Sequence, residues 1–212
     1  NTVLGHSLTL NGTGTMSNTS VGIGKSVSVG TFSVSGAQSS NYTLVGGTHT
    51  IDVNPRTTNA SGTRHYDGTT IAGSSAFSTF SNSVGGDTIT LSGTGSIASA
   101  GIGSKGVTIG SLQAAHPNYI LGNATLTVTK RPVNLSGRRI RGGTTDILAS
   151  ELSFGNLAAS ETLTLTGQGT ISEMRVGSYA LNLFTLSMGN GSGSTSNYTF
   201  TGGSFIFTIL DP

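Results

Sequence analysis

Three stretches of this chain repeat one pattern at nearly regular intervals, and such a repeat limits the fold more than any other feature. Each copy alternates apolar residues with Thr, Ser or Asn and then ends in a Gly-x-Gly step. An Asn-Tyr pair follows each copy, and the pairs recur at nearly equal distances along the chain. The copies span residues 8–14, 89–95 and 163–169, and the pairs are Asn41-Tyr42, Asn118-Tyr119 and Asn197-Tyr198.

Proline supplies another marker of the period. Pro55, Pro132 and Pro212 each close an alternating segment, and they recur at nearly the same interval as the Asn-Tyr pairs. Because proline cannot donate a backbone hydrogen bond, it suits a strand end or a linker. We therefore place a boundary after each of these prolines. The division predicts a partial unit at 1–55 that lacks its first strands, a complete β-sandwich unit at 56–132, and a complete but diverged unit at 133–212.

Within one unit the pattern is that of short strands. Residues 88–92 alternate with period two, as a half-buried strand does, and Gly-rich steps at 93–95 and 101–106 interrupt the alternation. The interval between copies is too long for one coil of a β-solenoid. We predict an all-β chain of tandem immunoglobulin-like β-sandwich repeats arranged end to end. The best helical candidate, residues 145–157, lacks convincing periodicity and caps.

Charged residues make up only 8% of the chain, and the formal net charge is +2. A nucleic-acid-binding protein should carry a dense stripe of Lys and Arg. The only basic cluster, Arg138, Arg139 and Arg141, fits a solvated strand end or turn better than a polyanion site. No apolar run approaches the roughly 18 residues of a membrane helix. We predict no nucleic-acid partner and no membrane span in this segment.

No group of residues in the sequence suits catalysis. The chain has no cysteine, which excludes thiol chemistry, disulfides and zinc ribbons. The histidines lack metal-ligand spacing, and the acidic residues form neither a glycosidase pair nor a calcium loop. Gly24-Lys25-Ser26 resembles the end of a phosphate-binding loop but lacks the earlier glycine and the following helix. We predict no catalytic residue, no metal ligand and no cofactor, and a chain that is not an enzyme.

The most distinctive string in the sequence is Tyr66-Asp67-Gly68-Thr69. An acidic residue before Gly, followed by Thr, is typical of a tight turn that enters a strand. The third unit keeps the Gly and Thr but lacks Tyr-Asp, so a catalytic role would exist in only one of two complete units. We interpret this string as structural.

The Asn-Tyr pairs have two interpretations. We predict that each Tyr packs its ring into its unit and uses its hydroxyl for a hydrogen bond at a corner. A carbohydrate-binding platform is the alternative. Separately, the chain contains Asn-x-Ser/Thr acceptor sequences for glycosylation, although a chain this rich in Asn, Ser and Thr makes such matches by chance. They begin at Asn11, Asn18, Asn41, Asn59, Asn123, Asn134, Asn190 and Asn197.

The order of these motifs resembles the YDG-domain tandem repeats of large filamentous-haemagglutinin-like bacterial adhesins. The resemblance is carried by residues 66–70, 86–95, 21–27 and 41–44, and by the Thr-Ile-Asp-Val-Asn-Pro end at 50–55. It covers nearly the whole chain, although the third unit lacks Tyr-Asp and changes the Gly-Ile-Gly-Lys turn. The resemblance implies a Gram-negative surface protein with immunoglobulin-like stalk modules, and it carries over no active site.

We therefore expect a structural stalk or fibre segment of an adhesin or biofilm matrix protein, located outside the cell or on its surface. Its partners would be neighbouring repeats or identical subunits. One alternative is a module that binds glycans or a host surface, and another is a subunit of a strand-complemented filament. The chain looks like a piece of a longer protein. Unit 1–55 is expected to expose a sheet edge that upstream chain or a neighbouring subunit covers.

Overall fold

The computed structural model describes residues 2–212, so the first residue of the predicted unit 1–55 lies outside the described part. Every regular element among these residues is a strand or a single 3-10 turn, and no α-helix occurs among them. The prediction of an all-β chain is confirmed. Residues 145–157, the best helical candidate, form two short strands around the 3-10 turn Ala149–Glu151 instead.

Unit 1, residues 2–55, contains five strands and the 3-10 turn Ser39–Asn41. The strands are β1 (Thr9–Asn11), β2 (Thr15–Met16), β3 (Gly22–Ser28), β4 (Ser33–Ser35) and β5 (Thr50–Val53). An antiparallel sheet has the order β2-β3-β5, and β1 pairs with β4. None of residues 2–55 is buried. Unit 1 therefore has strands but no closed core.

Unit 2, residues 56–130, has eight strands and the 3-10 turn Ser74–Ala76. The strands are β6 (Arg56–His65), β7 (Ile71–Gly73), β8 (Phe77–Phe80), β9 (Leu91–Ser92), β10 (Thr94–Ile97), β11 (Gly103–Thr108), β12 (Gln113–Ala114) and β13 (Tyr119–Thr129). Six of them form one sheet in the order β7-β10-β11-β13-β6-β8, and β9 pairs with β12. The first and last strands, β6 and β13, are parallel neighbours.

Unit 3, residues 131–212, repeats this arrangement, with 3-10 turns at Ala149–Glu151 and Thr195–Asn197. The strands are β14 (Arg131–Pro132), β15 (Leu135–Ile140), β16 (Asp146–Leu148), β17 (Leu152–Phe154), β18 (Leu163–Thr166), β19 (Gln168–Thr170), β20 (Gly177–Ala180), β21 (Ser187–Asn190), β22 (Tyr198–Thr199) and β23 (Phe205–Leu210). Its main sheet has the order β17-β15-β23-β20, and β15 and β23 are again parallel. Strand pairs β16-β19, β18-β21 and β14-β22 complete the unit.

The prolines do not mark one structural position in each unit. Arg56 pairs with Tyr119 in unit 2, and Arg131 pairs with Tyr198 in unit 3, so the two arginines are equivalent. Pro55 precedes β6, whereas Pro132 lies within β14, opposite Thr199. Strand β14 thus begins before Pro132, whereas the boundary after Pro132 stays a prediction.

The Gly-x-Gly step of the repeat has a steric cause. Gly93 has a φ of +82°, which L side chains rarely adopt, and a Cβ there would lie 2.1 Å from the carbonyl oxygen of Ser111. Gly12 and Gly167 have φ values of +91° and +88°, and a Cβ at either would lie 2.2 Å from a carbonyl oxygen. Each copy of the motif therefore marks a place where two backbone segments come close together.

Apolar residues are buried in two clusters. One fills unit 2 and continues across the junction to Val133, Ala158 and Tyr198 of unit 3. The other lies within unit 3 around Leu135 and Phe207, which are 1% and 0% exposed. Phe154 and Phe200 contact both clusters. The interior is thus continuous from unit 2 to unit 3.

Candidate functional site at the junctions between units

Each unit uses its Asn-Tyr tyrosine in the same way. In unit 2 the hydroxyl of Tyr119 accepts a hydrogen bond from the backbone N–H of Val84 at 2.8 Å and donates to Asp87 Oδ2 at 2.7 Å. In unit 1 the hydroxyl of Tyr42 binds the N–H of Val3 at 2.8 Å and the Nδ1 atom of His6 at 2.8 Å. In both units the hydroxyl connects the Asn-Tyr pair to the segment just before the repeat pattern.

In unit 3 the equivalent hydrogen-bonded group also includes a tyrosine from unit 2. The hydroxyl of Tyr198 accepts from the N–H of Ala158 at 3.0 Å and donates to Glu161 Oε2 at 2.5 Å. The hydroxyl of Tyr66, from unit 2, donates to the other oxygen, Glu161 Oε1, at 2.5 Å. One carboxylate from unit 3 thus binds a tyrosine hydroxyl from each unit, and hydrogen bonds to charged acceptors are the stronger kind.

Tyr66 is the side chain that joins units 2 and 3. It is 5% exposed, and its ring packs edge to face on Tyr198 with centroids 5.5 Å apart. Arg131 of unit 3 donates from its guanidinium to the backbone oxygen of Tyr66 at 3.2 Å and to that of Asn156 at 2.6 Å. Tyr66 is therefore held by packing and by hydrogen bonds to unit 3 at both its ring and its backbone.

The residues after Tyr66 form a turn that fixes its direction. Asp67 Oδ1 accepts from the N–H of Thr69 at 2.9 Å, which is an Asx turn, and Gly68 has a φ of +77°. Asp67 Oδ2 forms an ion pair with Arg64 at 2.7 Å. The same guanidinium donates to the carbonyl oxygens of Thr69 and Ile71, each at 2.6 Å. The Tyr-Asp-Gly-Thr string is therefore a rigid turn that presents Tyr66 to the next unit.

The asparagines of the Asn-Tyr pairs make a second contact across each junction. Asn118 Oδ1 of unit 2 accepts from the N–H of Val21 in unit 1 at 3.0 Å. Asn197 Oδ1 of unit 3 accepts from the N–H of Ile102 in unit 2 at 3.3 Å. Val21 and Ile102 occupy equivalent positions, immediately before the paired glycines Gly22 and Gly103. Asn41, the third member of the set, is exposed.

Two structural roles, one at the junction and one within unit 3, escape sequence reasoning. Glu161 carries no distinguishing neighbours, yet it links both tyrosines. Its counterpart Asp87 also precedes a Thr and an apolar residue at the start of the repeat pattern, so aligning the copies could have singled it out. Arg139 is the counterpart of Arg64, and it donates to the carbonyl oxygens of Thr144 and Asp146. The sequence places Arg139 in a cluster of three arginines, and this position gave no sign that it differs from the exposed Arg138 and Arg141.

The other candidate residues are engaged in local contacts or lie at the surface. Lys25 Nζ donates to the carbonyl oxygen of Asn18 at 2.9 Å, and Gly24-Lys25-Ser26 lies within β3. Arg138 and Arg141 are exposed, whereas Arg139 is half-buried over the Phe207 ring at 5.8 Å. Within residues 2–212 no group of three or more His, Cys, Asp or Glu side chains is placed to hold a metal ion. In the same residues no helix is long and apolar enough to cross a membrane.

The Asn-x-Ser/Thr acceptors divide between exposed and half-buried positions. Asn134 and Asn197 are half-buried, and both accept hydrogen bonds from backbone N–H groups, from Ser204 to Asn134 at 2.9 Å and from Ile102 to Asn197 at 3.3 Å. The remaining acceptors are exposed. They are Asn11, Asn18, Asn41, Asn59, Asn123 and Asn190.

The junction between units 2 and 3 should weaken at alkaline pH. Burial, and then the hydrogen bond to Glu161, raise the pKa of Tyr66 from 10.0 to about 12. Burial likewise raises the pKa of Tyr198. A raised tyrosine pKa means that the stabilisation is complete below pH 10 and is lost as the pH rises through 12.

We expect the free energy of unfolding to fall by about 1 kcal/mol or more across this interval because of Tyr66 alone, since solvent at the junction screens part of the effect. Urea unfolding at pH 9 and at pH 12 measures the loss. Tyr66→Phe is the control, and the stability advantage of the unmodified chain over it should shrink as the pH rises. An advantage that is the same at both pH values would contradict the assignment of Tyr66.

Comparison with known families identifies one match. A family model described as the YDG domain matches residues 2–51 and residues 48–128, which together cover more than half of the chain. The first range lies in unit 1, and the second includes nearly all of unit 2. No curated protein and no solved structure matches the chain. Unit 3 lies outside the matched ranges but repeats the strand order of unit 2.

Proposed function

The chain belongs to the YDG domain family, and from this premise we propose that it is a structural stalk segment of a secreted or cell-surface bacterial adhesin or biofilm matrix protein. It performs no catalysis in this role. The observation that carries the proposal is the burial of Tyr66 of one unit within the next, where it is 5% exposed. A chain whose units share an interior transmits force and holds its length.

The connection between units 2 and 3 supports a stiff stalk. Strand β13 ends at Thr129 and β14 begins at Arg131, so a single residue separates the two units. A linker this short leaves little freedom for rotation, and the buried cluster around Val128, Val133 and Tyr198 restricts it further. The hydrogen bonds of Glu161 and Arg131 add directional contacts across the same junction.

The exposed surface also supports an extended arrangement. The chain has a solvent-accessible surface of 12259 Å². A compact monomer of 21.3 kDa is expected to expose about 9,100 Å². The excess of roughly a third is what a row of small units produces, because each unit keeps its own surface.

The finer architecture of each unit forms part of the proposal. We infer that units 2 and 3 are immunoglobulin-like sandwiches, since short antiparallel strands surround one core in each. The hydroxyl of Tyr119 binds a backbone N–H in another loop, as the tyrosine corner of immunoglobulin-like folds does. The extracellular location and the Gram-negative source rest on the resemblance of the motif order to adhesin repeats.

A stalk fits the tyrosines better than a glycan-binding module does. Carbohydrate platforms need exposed aromatic faces, but Tyr66, Tyr119 and Tyr198 are 5%, 5% and 1% exposed. Their hydroxyls are also engaged in hydrogen bonds within the protein. A glycan array tests the alternative directly, and a specific signal would favour the binding module.

Small-angle X-ray scattering of the whole chain tests the stalk. A compact chain of 212 residues would have a radius of gyration of about 17 Å. We expect a clearly larger value and a distance distribution with a long tail, because the units form a row. Tyr66→Ala is expected to broaden that distribution by loosening the junction. A radius for the unmodified chain as small as that of the compact case would refute the stalk.

A further inference from the structure

The last strand of unit 1 has an open edge. In unit 2 strand β13 pairs with β11 on one side and with β6 on the other, and in unit 3 strand β23 is flanked in the same way by β20 and β15. Strand β5 pairs with β3, and among residues 2–212 no strand pairs with its other edge. The free backbone groups of Thr50–Val53 are therefore a template for another strand.

The interior of unit 1 is open beside this edge. A cavity of about 490 Å³ is lined by Leu10, Met16, Phe32 and Ile51, among others. Ile51 is 49% exposed, whereas its counterpart in unit 2, Leu126, is 0% exposed. Apolar side chains that form a core in unit 2 thus line a groove in unit 1.

Unit 2 shows what covers such a groove. Strand β6 and the segment that follows it, through the end of β8, lie over the core and bury Ala60, Ala72 and Phe77. Gly62 allows β6 to lie close to the start of β8, because a Cβ at this position would overlap the backbone of Ala76. The covering element is therefore one continuous segment, residues 56–81, whose first strand runs parallel to β13.

A second cavity lies at the end of the same edge. It measures about 350 Å³ and is lined by Val21, Val53, Asp87, Asn118 and Tyr119, among others. The equivalent residues of the next junction are Ile102, Val128, Glu161, Asn197 and Tyr198. Tyr66 occupies the space among them, with its ring packed edge to face against Tyr198 and its hydroxyl donating to Glu161. The cavity beside Tyr119 thus has a lining equivalent to that of the space that Tyr66 fills at the next junction.

We propose that unit 1 binds an extended polypeptide segment with the chemistry of residues 56–81, supplied by another repeat unit. The segment enters as a parallel strand on the free edge of β5 and covers the groove. Its tyrosine fills the cavity between Tyr119 and Asp87 and donates its hydroxyl to the Asp87 carboxylate. The inference goes beyond the stalk proposal, which depends on the junction between units 2 and 3.

The pairing of β6 with β13 sets the register of the bound segment. Gly62 lies opposite Leu126, Arg64 lies opposite Val128, and the N–H of Tyr66 donates to the carbonyl oxygen of Thr129 at 2.8 Å. If the segment binds unit 1 in the same register, its glycine lies opposite Ile51 and its arginine lies opposite Val53. The N–H of its tyrosine then donates to the backbone carbonyl oxygen of Asn54. The register therefore places a Gly-x-Arg-x-Tyr segment along β5, and the tyrosine is the residue of this pattern whose side chain contacts the site.

A second copy of this chain is a poorer donor. Its β6 is already paired with its own β13, and Ala60, Ala72 and Phe77 are already buried there, so donating residues 56–81 would require that unit to open. The equivalent segment of unit 3 carries Arg141 where unit 2 has Tyr66. A cationic guanidinium lacks the ring face that stacks on Tyr119, and this difference provides a matched control from the same chain.

Binding of synthetic peptides to the whole chain tests the proposal. A fluorescent peptide of residues 56–81 should bind saturably, with new hydrogen-exchange protection at Thr50–Val53. The same peptide with Tyr66→Ala should bind at least tenfold more weakly, because it leaves the cavity beside Tyr119 empty. The peptide of residues 131–156, which has Arg141 at that position, should show the same loss.

A fused copy removes the dependence on peptide solubility. A copy of residues 56–81 joined directly before residue 1 should protect Thr50–Val53 and raise the unfolding temperature of unit 1. Tyr66→Ala in the added copy alone should abolish much of the gain. The proposal would be overturned if neither the free peptide nor the fused copy gave hydrogen-exchange protection at Thr50–Val53. It would also be overturned if the Tyr66→Ala peptide bound as tightly as the unmodified peptide. Self-association of the unmodified chain with protection at β5 would assign the site to a second copy instead. If no peptide bound but X-ray scattering still showed an elongated chain, the binding proposal would fail and the stalk proposal would stand.

Discussion

Tyr66→Ala should separate the unfolding of unit 2 from that of unit 3. The side chain is 5% exposed, and its removal leaves a cavity beside Tyr198 at the junction. Truncation of a buried aromatic residue to Ala typically costs about 3–5 kcal/mol. The loss falls on the contact between the units, so we expect differential scanning calorimetry to show two resolved transitions in the variant. The unmodified units 2 and 3 should unfold together.

Two variants calibrate this result. Tyr66→Phe keeps the ring and removes only the hydrogen bond to Glu161, so it should cost less, about 1.5–3 kcal/mol. Ile140→Ala alters a side chain that is 60% exposed, and it should change stability by no more than about 0.5 kcal/mol. If Tyr66→Ala behaved like Ile140→Ala, Tyr66 would not join the units, and the stalk would lose its main support.

Gly62→Ala should disrupt unit 2 by a different mechanism. A Cβ at this position would lie 1.8 Å from the carbonyl oxygen of Ala76 and 2.6 Å from its carbonyl carbon. Both atoms belong to the backbone, so no side-chain rotation relieves the overlap, and β6 must move away from β8. We expect a loss of about 3 kcal/mol or more in urea unfolding, at the upper end of the range for overpacking.

Gly106→Ala is the matched control for this substitution. Gly106 also lies in a strand of unit 2, but no heavy atom lies within 4 Å of its Cβ position. An alanine there should be neutral or stabilising by up to about 1 kcal/mol, because it restricts the unfolded chain. If both variants lost a similar free energy of unfolding, the cost would come from adding any side chain to the sheet. It would then not come from the close contact between residue 62 and the backbone of Ala76.

Local structure was accessible from the sequence where it depends on neighbouring residues. The chain is all-β, as the alternation predicts, and Gly93 has a positive φ, but only Leu91–Ser92 of residues 88–92 forms a strand. The step predicted at 101–106 is wrong in part, because β11 begins at Gly103. The Tyr66-Asp67-Gly68-Thr69 string was interpreted as a turn, and Asp67 does cap the N–H of Thr69 at 2.9 Å. These features follow from backbone sterics and from hydrogen bonds over two or three residues.

The proline markers show how sequence spacing can mislead. The regular distance between Pro55 and Pro132 suggests one equivalent position, but Pro55 comes one residue before Arg56 and Pro132 one residue after Arg131, so the two prolines differ by two positions. Strand pairing, which involves residues more than sixty positions apart, decides the equivalence. Spacing along the chain cannot show it.

The all-β class and the tight steps at Gly12, Gly93 and Gly167 could be read from the residues alone. The folded chain was needed to place Tyr66 in the next unit beside Glu161, 95 residues away in the chain. It also located at β5 the exposed edge that the sequence predicts for unit 1, and it revealed the cavity beside Tyr119. The reason is that burial and contacts between units depend on which distant strands become neighbours, and local propensity carries no information about that choice.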